Sequence, residues 1–211
     1  MLTLGISTSS GQFAIVLGDD RKMIFNSEEY HLAEQKDISV LINKCLEISG
    51  KTIFDVNNII VDIGPGGTSR VRTGIAFANS LSYSLGIKVC PVSSMEMAGI
   101  NAWEKYSLPV IATVKSINGN AYVGFFNNNT LISTEYGKIE NLIPSLIGDC
   151  QELVVVGYHR ELIISLFPEI KIIDSGMFYG DVKIFAEQAL RFINRGILFP
   201  EIAFAVTEKS S

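Results

Sequence analysis

The stretch Ile59–Ala78, IIVDIGPGGTSRVRTGIAFA, sets a β-type run against four turn residues, Gly64-Pro65-Gly66-Gly67, and then a helix-forming run. Many proteins cradle a phosphate with that order of parts, because amides at a helix N-terminus point at the anion. The rest of the chemistry is missing. A P-loop requires G-x-x-x-x-G-K followed by Ser or Thr, and the residues five and six beyond Gly64 are Ser69 and Arg70 rather than Gly-Lys. A dinucleotide fingerprint requires an acid about 20 residues on for the ribose hydroxyl, and none lies between Asp62 and Glu96. Pro65-Gly66 fits the centre of a type II turn, so geometry alone accounts for the corner. Arg70 and Arg72 fall in the first turns of the helix, where the macrodipole is already positive. Either they extend into water, or they serve an anion or an acidic surface on a partner.

No other catalytic constellation forms. The two histidines, His31 and His159, stand alone at solvated or locally bonded positions, without H-E-x-x-H or a carboxylate at ligand spacing. There is no G-x-S-x-G elbow, and Asp19-Asp20 read as turn residues. No catalytic residue, metal ligand or cofactor is nominated. Cys45, Cys90 and Cys150 are odd in number and widely spaced, as reduced thiols of a cytoplasmic protein would be.

The chain has 211 residues, 47% hydrophobic and 18% charged, with a net charge of -5. That balance describes a folded core rather than a disordered chain. No cluster of Lys and Arg offers the phosphate contacts that autonomous nucleic-acid binding needs. No apolar run reaches the roughly 18 residues of a membrane span. The opening MLTLGISTSSGQFAIVLGDD alternates like a strand and lacks the basic start of a secretory leader.

The elements that would position the corner come in a repeated pattern. LTLGIST, FAIVLG and KMIFNSEE are short apolar runs parted by Gly, Ser and Asp turns, an antiparallel meander. PVIATVKS, AYVGFF and TLISTE repeat it in residues 109–135. Each meander is followed by a helix-like stretch, an apolar strand and another helix-like stretch, giving β-β-β-α-β-α twice. The expected organisation is α/β with two similar lobes, 1–105 and 106–211, parted at YSLP; a single mixed α/β domain is the alternative.

DISVLINKCLEISG places Ile38, Leu41, Ile42, Cys45 and Leu46 at helical spacing and ends at Gly50. TSRVRTGIAFANSLSYSLG begins at a Thr68 or Ser69 cap and ends at Gly86. Along it Val71, Ile75 and Ala78 form one stripe, Phe77, Leu81 and Leu85 another, with small residues including Gly74 between them. A helix apolar on two faces is buried on two faces: in its own core, or with one stripe against a partner helix. Ser93-x-x-Glu96 is a capping box, and DVKIFAEQALRFIN is amphipathic through Val182, Phe185, Ala189 and Phe192.

The doubled plan is similar to that of the actin, sugar kinase and Hsp70 ATPase superfamily. GPGGTSRVRTGIAFANSLSYSLGIKVCPVSSMEMAG resembles the TsaB family, also called YeaZ, and the resemblance covers most of the first 125 residues. Gly64-Pro65-Gly66, Arg72 and Gly74 carry it most strongly. It implies a non-catalytic partner of TsaD, the paralogous enzyme that makes threonylcarbamoyladenosine on tRNA. It also implies an assembly with the ATPase TsaE, contact with tRNA only through the complex, and a homodimer when alone. The family pairs through its first two helices, which makes Ile38, Leu41, Ile42, Cys45, Val71, Gly74, Ile75, Ala78, Leu81 and Leu85 the expected interface. The family's older glycoprotease-like label has no support in these residues.

Where the family shows an acid before Thr-Ser in the first hairpin, this chain has Ser7-Thr8-Ser9. A hydroxyl cannot supply the charge with which a carboxylate holds Mg²⁺, and the matching turn of the second half, Lys115-Ser116, has no acid either. The expectation is a divergent scaffold that has lost nucleotide chemistry; a small ATP-dependent phosphotransferase and an adaptor for another partner are the alternatives.

Overall fold

The computed structural model describes residues 1–9, 13–19, 22–27, 29–30, 32, 37–178 and 202–206. Asp20, His31 and the expected helix at 181–194 lie outside them.

The first sheet contains β1 (Leu2–Ser7), β2 (Ala14–Gly18), β3 (Met23–Asn26), β4 (Val56–Asp62) and β5 (Lys88–Val92). Their order is β3-β2-β1-β4-β5. The meander pairs antiparallel, while β1, β4 and β5 run parallel. Parallel neighbours need crossovers, which α1 (Ile38–Ile48) and α2 (Thr68–Leu85) supply. Asp37 caps α1, its carboxylate accepting the amides of Ser39 and Val40 at 2.9 and 3.3 Å. Gly50 and Gly86 take positive φ just past the two helices, as the sequence requires. Both helices bury one core: Leu4, Ile6, Ile15, Leu17, Ile59 and Val61 of the sheet meet Leu41, Cys45, Val71 and Ala78.

The second sheet repeats this arrangement with β6 (Val110–Lys115), β7 (Ala121–Asn127), β8 (Thr130–Gly137), β9 (Glu152–Gly157) and β10 (Lys171–Asp174), ordered β10-β9-β6-β7-β8. The strand β6 is β1 moved on by 110 − 2 = 108 residues. Helices α4 (Ile139–Ile147) and α5 (Arg160–Leu166) pack on one face through Ile139, Ile143, Ile147 and Ile163. Helix α3 (Ser94–Tyr106) packs on the other through Met95, Ala98 and Ala102.

Two sequence expectations change. Each repeat is β-β-β-α-β-α-β, with a short edge strand after its second helix. KVCPV carries Lys88 and Pro91, which a strand tolerates at an edge, and they mask its β character. The chain also divides after Ser93 rather than at 105, because α3 gives its apolar face to the second sheet. Residues 202–206 belong with the first unit.

Candidate functional site

The glycine corner is built around an acid. Ile6 pairs with Val61 in the parallel β1–β4 ladder, so the next residues, Ser7 and Asp62, stand side by side. Asp62 is fully buried. Its Oδ2 accepts the Ser7 hydroxyl at 2.9 Å and the Ser9 hydroxyl at a short distance, and its Oδ1 accepts the Gly64 amide at 2.8 Å. Hydrogen bonds to a carboxylate are about twice as strong as neutral ones, and these tie the first hairpin to the corner. The carboxyl group absent from the first hairpin is therefore present one strand away, and Ser7 itself donates to it. Sequence reading missed Asp62 because the β1–β4 register was unknown; the acid closing an apolar run before glycine was the available signal.

Gly64 carries the positive φ, +90°, and Gly66 does not, which corrects the type II turn; the Gly64–Pro65 peptide is cis. Gly66 is required by close approach, since a Cβ there would stand 2.7 Å from Ser9 Cβ and 2.9 Å from Ser9 O. The cap of α2 is Gly67, without a side-chain bond, rather than Thr68 or Ser69. The Gly67 amide faces Ser9 O at 3.5 Å, so the amides of Gly64 and Gly67 both turn inward. Thr8 Oγ1 donates to Arg70 O at 2.7 Å, and a Cβ on Gly74 would come within 2.5 Å of that hydroxyl. Arg70 folds its guanidinium back over Gly67, and both Arg70 and Arg72 are exposed.

The expected interface residues divide differently from the sequence reading. Ile38, Leu41, Ile42, Cys45, Val71, Gly74, Ile75 and Ala78 are buried within the chain itself, where they are closed to a partner. Leu81 is half-buried against the same core and Leu85 is half-buried. Both apolar stripes of α2 turn inward because small residues occupy the remaining face. Arg72, Thr73, Ala76, Ser80, Tyr83 and Ser84 are exposed there. Thr73 and Ser80 return their hydroxyls to the carbonyls of Ser69 and Ala76, which leaves a low surface between two large exposed side chains, Arg72 and Tyr83, the latter 92% exposed. Burial pushes the Cys45 thiol up to about 12.

In the second unit the corresponding edge has opposite chemistry. Two residues beyond the Gly5–Ile60 pair lie Ser7 and Asp62; two beyond the Thr113–Gly157 pair lie Lys115 and His159. His159 donates its amide to Thr113 Oγ1 at 3.0 Å, while its Nδ1 is buried without a partner among the described residues. Burial lowers its pKa, Lys115 lowers it further, and Glu140 opposes both. The Lys115 ammonium donates to the Tyr158 hydroxyl at 3.1 Å. Arg160, overlooked in the sequence, is buried; its Nε meets Asp174 at 2.6 Å and it donates to the carbonyls of Gly157 and Met177.

The repeated sheet order, with its parallel crossovers, defines a duplicated α/β fold of the actin-like two-lobe class. A Pseudomonas aeruginosa protein described as similar to peptidase YEAZ superposes with a TM-score of 0.81 at 17% identity, covering 99% of each chain. YeaZ of the same organism superposes at 0.76 and 16% identity, over 98% of this chain and all of that one. The family model of TsaD, tRNA N6-adenosine threonylcarbamoyltransferase, matches residues 28–207. The chain belongs to that family, on its TsaB/YeaZ branch. It is 27% identical to the tRNA threonylcarbamoyladenosine biosynthesis protein TsaB of Buchnera aphidicola subsp. Schizaphis graminum, over 99% of this chain and 95% of that protein. Against the transferase of Caldicellulosiruptor bescii the identity is 26%, over 76% of this chain and 47% of that protein.

Proposed function

We propose that this protein is a non-catalytic subunit that supports a TsaD-type paralogue in threonylcarbamoyladenosine modification of tRNA. It works in the cytoplasm, meets tRNA only within the complex, shares the assembly with a TsaE-type ATPase, and pairs with itself when alone. The pathway follows from the match along nearly its whole length to a protein named for it. The non-catalytic role rests on one observation: the carboxylate at the corner already accepts two hydroxyls and an amide. A Mg²⁺ ion held by carboxylate and phosphate oxygens would have to displace those donors from a buried group.

Docking falls to the exposed face of α2. Its small side chains let a second helix approach to roughly 8–10 Å between axes, and a stable contact would bury on the order of 1,600 Å² in total. Reconstitution of tRNA modification with a purified TsaD-type enzyme and its other helpers tests the role. The rate is expected to fall sharply when this chain is omitted, and equal rates would refute the proposal. Ser80→Glu probes the face: it leaves the melting temperature within a degree or two while weakening co-elution with the partner. Leu81→Glu, by contrast, disturbs the chain's own core.

A further inference from the structure

The segment Ile202–Val206 lies along the edge of the α2 docking face, and its attachment is unusual. The Asn79 side chain reads one backbone unit from both sides: its Nδ2 donates to Ala203 O at 3.0 Å, and its Oδ1 accepts the Ala203 amide at 3.0 Å. Three residues on, the Val206 amide donates to Ile63 O at 2.9 Å, directly beside the glycine corner. The segment alternates, but in the reverse of the usual sense. Ala203 is buried and Ala205 is packed against the core, while Ile202 and Phe204 are 52% and 75% exposed.

The small side chains are therefore buried and the large ones face water. Apolar holding force scales with the area removed from water, so two methyl groups and a half-buried Val206 contribute little against the entropy of ordering five residues. What remains among the described residues are three hydrogen bonds, two of them on a single side chain of α2.

We propose that Ile202–Val206 is a displaceable strap, latched to α2 by Asn79, that covers the edge of the docking face and lifts when a partner engages it. Lifting frees the Asn79 amide at the edge of the face and breaks the tie to the corner through Ile63. This rests on the docking reading above, in that α2 is the surface engaged. The latch itself is a property of the isolated chain.

Residue-resolved amide hydrogen exchange on the full chain tests it. Asn79→Ala is expected to speed exchange at Ala203 and Val206 at least tenfold while Ile59–Val61 in β4 keep their rates. Asn79→Asp, which retains the acceptor and loses the donor, should fall between. With a purified TsaD-type enzyme bound to the unmodified chain, exchange at Ala203 and Val206 should rise. Exchange at those two amides that tracks β4 in every variant would make the segment an integral part of the fold and overturn the latch. Slower exchange in the complex would overturn displacement. Failure to form any complex would overturn the docking reading together with partner-driven release, and the latch would then stand or fall on the Asn79 variants alone.

Discussion

The two halves share one strand order, yet just beyond the parallel pairing of their central strands lie Ser7 and Asp62 in the first unit and Lys115 and His159 in the second. In the first, a buried acid gathers neutral donors and ties a hairpin to a corner. In the second, two basic groups share an edge, burial and the neighbouring lysine disfavour the protonated imidazole, and lysine turns to a tyrosine hydroxyl. A duplicated scaffold therefore preserves backbone geometry far more strictly than the charge it displays.

The sharpest way to break this comparison is to remove the acid. Asp62→Ala strands two hydroxyls and an amide in the interior, so a loss of about 3 kcal/mol or more is expected in urea unfolding. Asp62→Asn, which keeps the shape and an acceptor, should cost less. If Asp62→Ala costs no more than a surface substitution, the fastening is not what holds the corner.

Next comes the fit of α2 against the first hairpin. Gly74→Ala forces a methyl onto the buried Thr8, and overpacking of that kind costs about 1–3 kcal/mol. Thermal unfolding of the variant with and without Thr8→Ser, which removes one of the crowding atoms, measures how much is steric.

The second unit should give a smaller, pH-dependent effect. The folded state disfavours protonated His159, so its contribution is intact above the unfolded value of about 6.5 and declines as pH falls below it. His159→Gln should flatten the dependence of stability on pH across that range; an unchanged profile would mean that His159 is not the titrating group. The smallest effect is kinetic: in the native protein at pH 8, a thiol reagent should label Cys150 well before Cys45, whose pKa is raised, and mass spectrometry of the labelled chain distinguishes them.

Much of the fold was legible because alternation and turn residues are local. The two meanders, the caps at Gly50 and Gly86 and the apolar stripes of α1 and α2 all follow from spacing. The edge strands were not, since Pro91 and short length conceal β character where only one neighbour pairs. The site was legible as a corner and illegible as a fastening. Asp62 and Ser7 lie 55 residues apart, and only the register of parallel strands brings them together. The same limit explains the interface: periodicity showed two apolar stripes on α2, while the direction in which each faces is settled by the sheet beneath it.

The most direct test of the account is whether the corner acid is available to a magnesium nucleotide. Calorimetric titration of Mg-ATP into the intact chain, alongside Asp62→Asn, should give no saturable heat that depends on Asp62. Saturable binding that Asp62→Asn abolishes would show the carboxylate leaving its hydroxyl and amide partners for the metal, and would contradict the account.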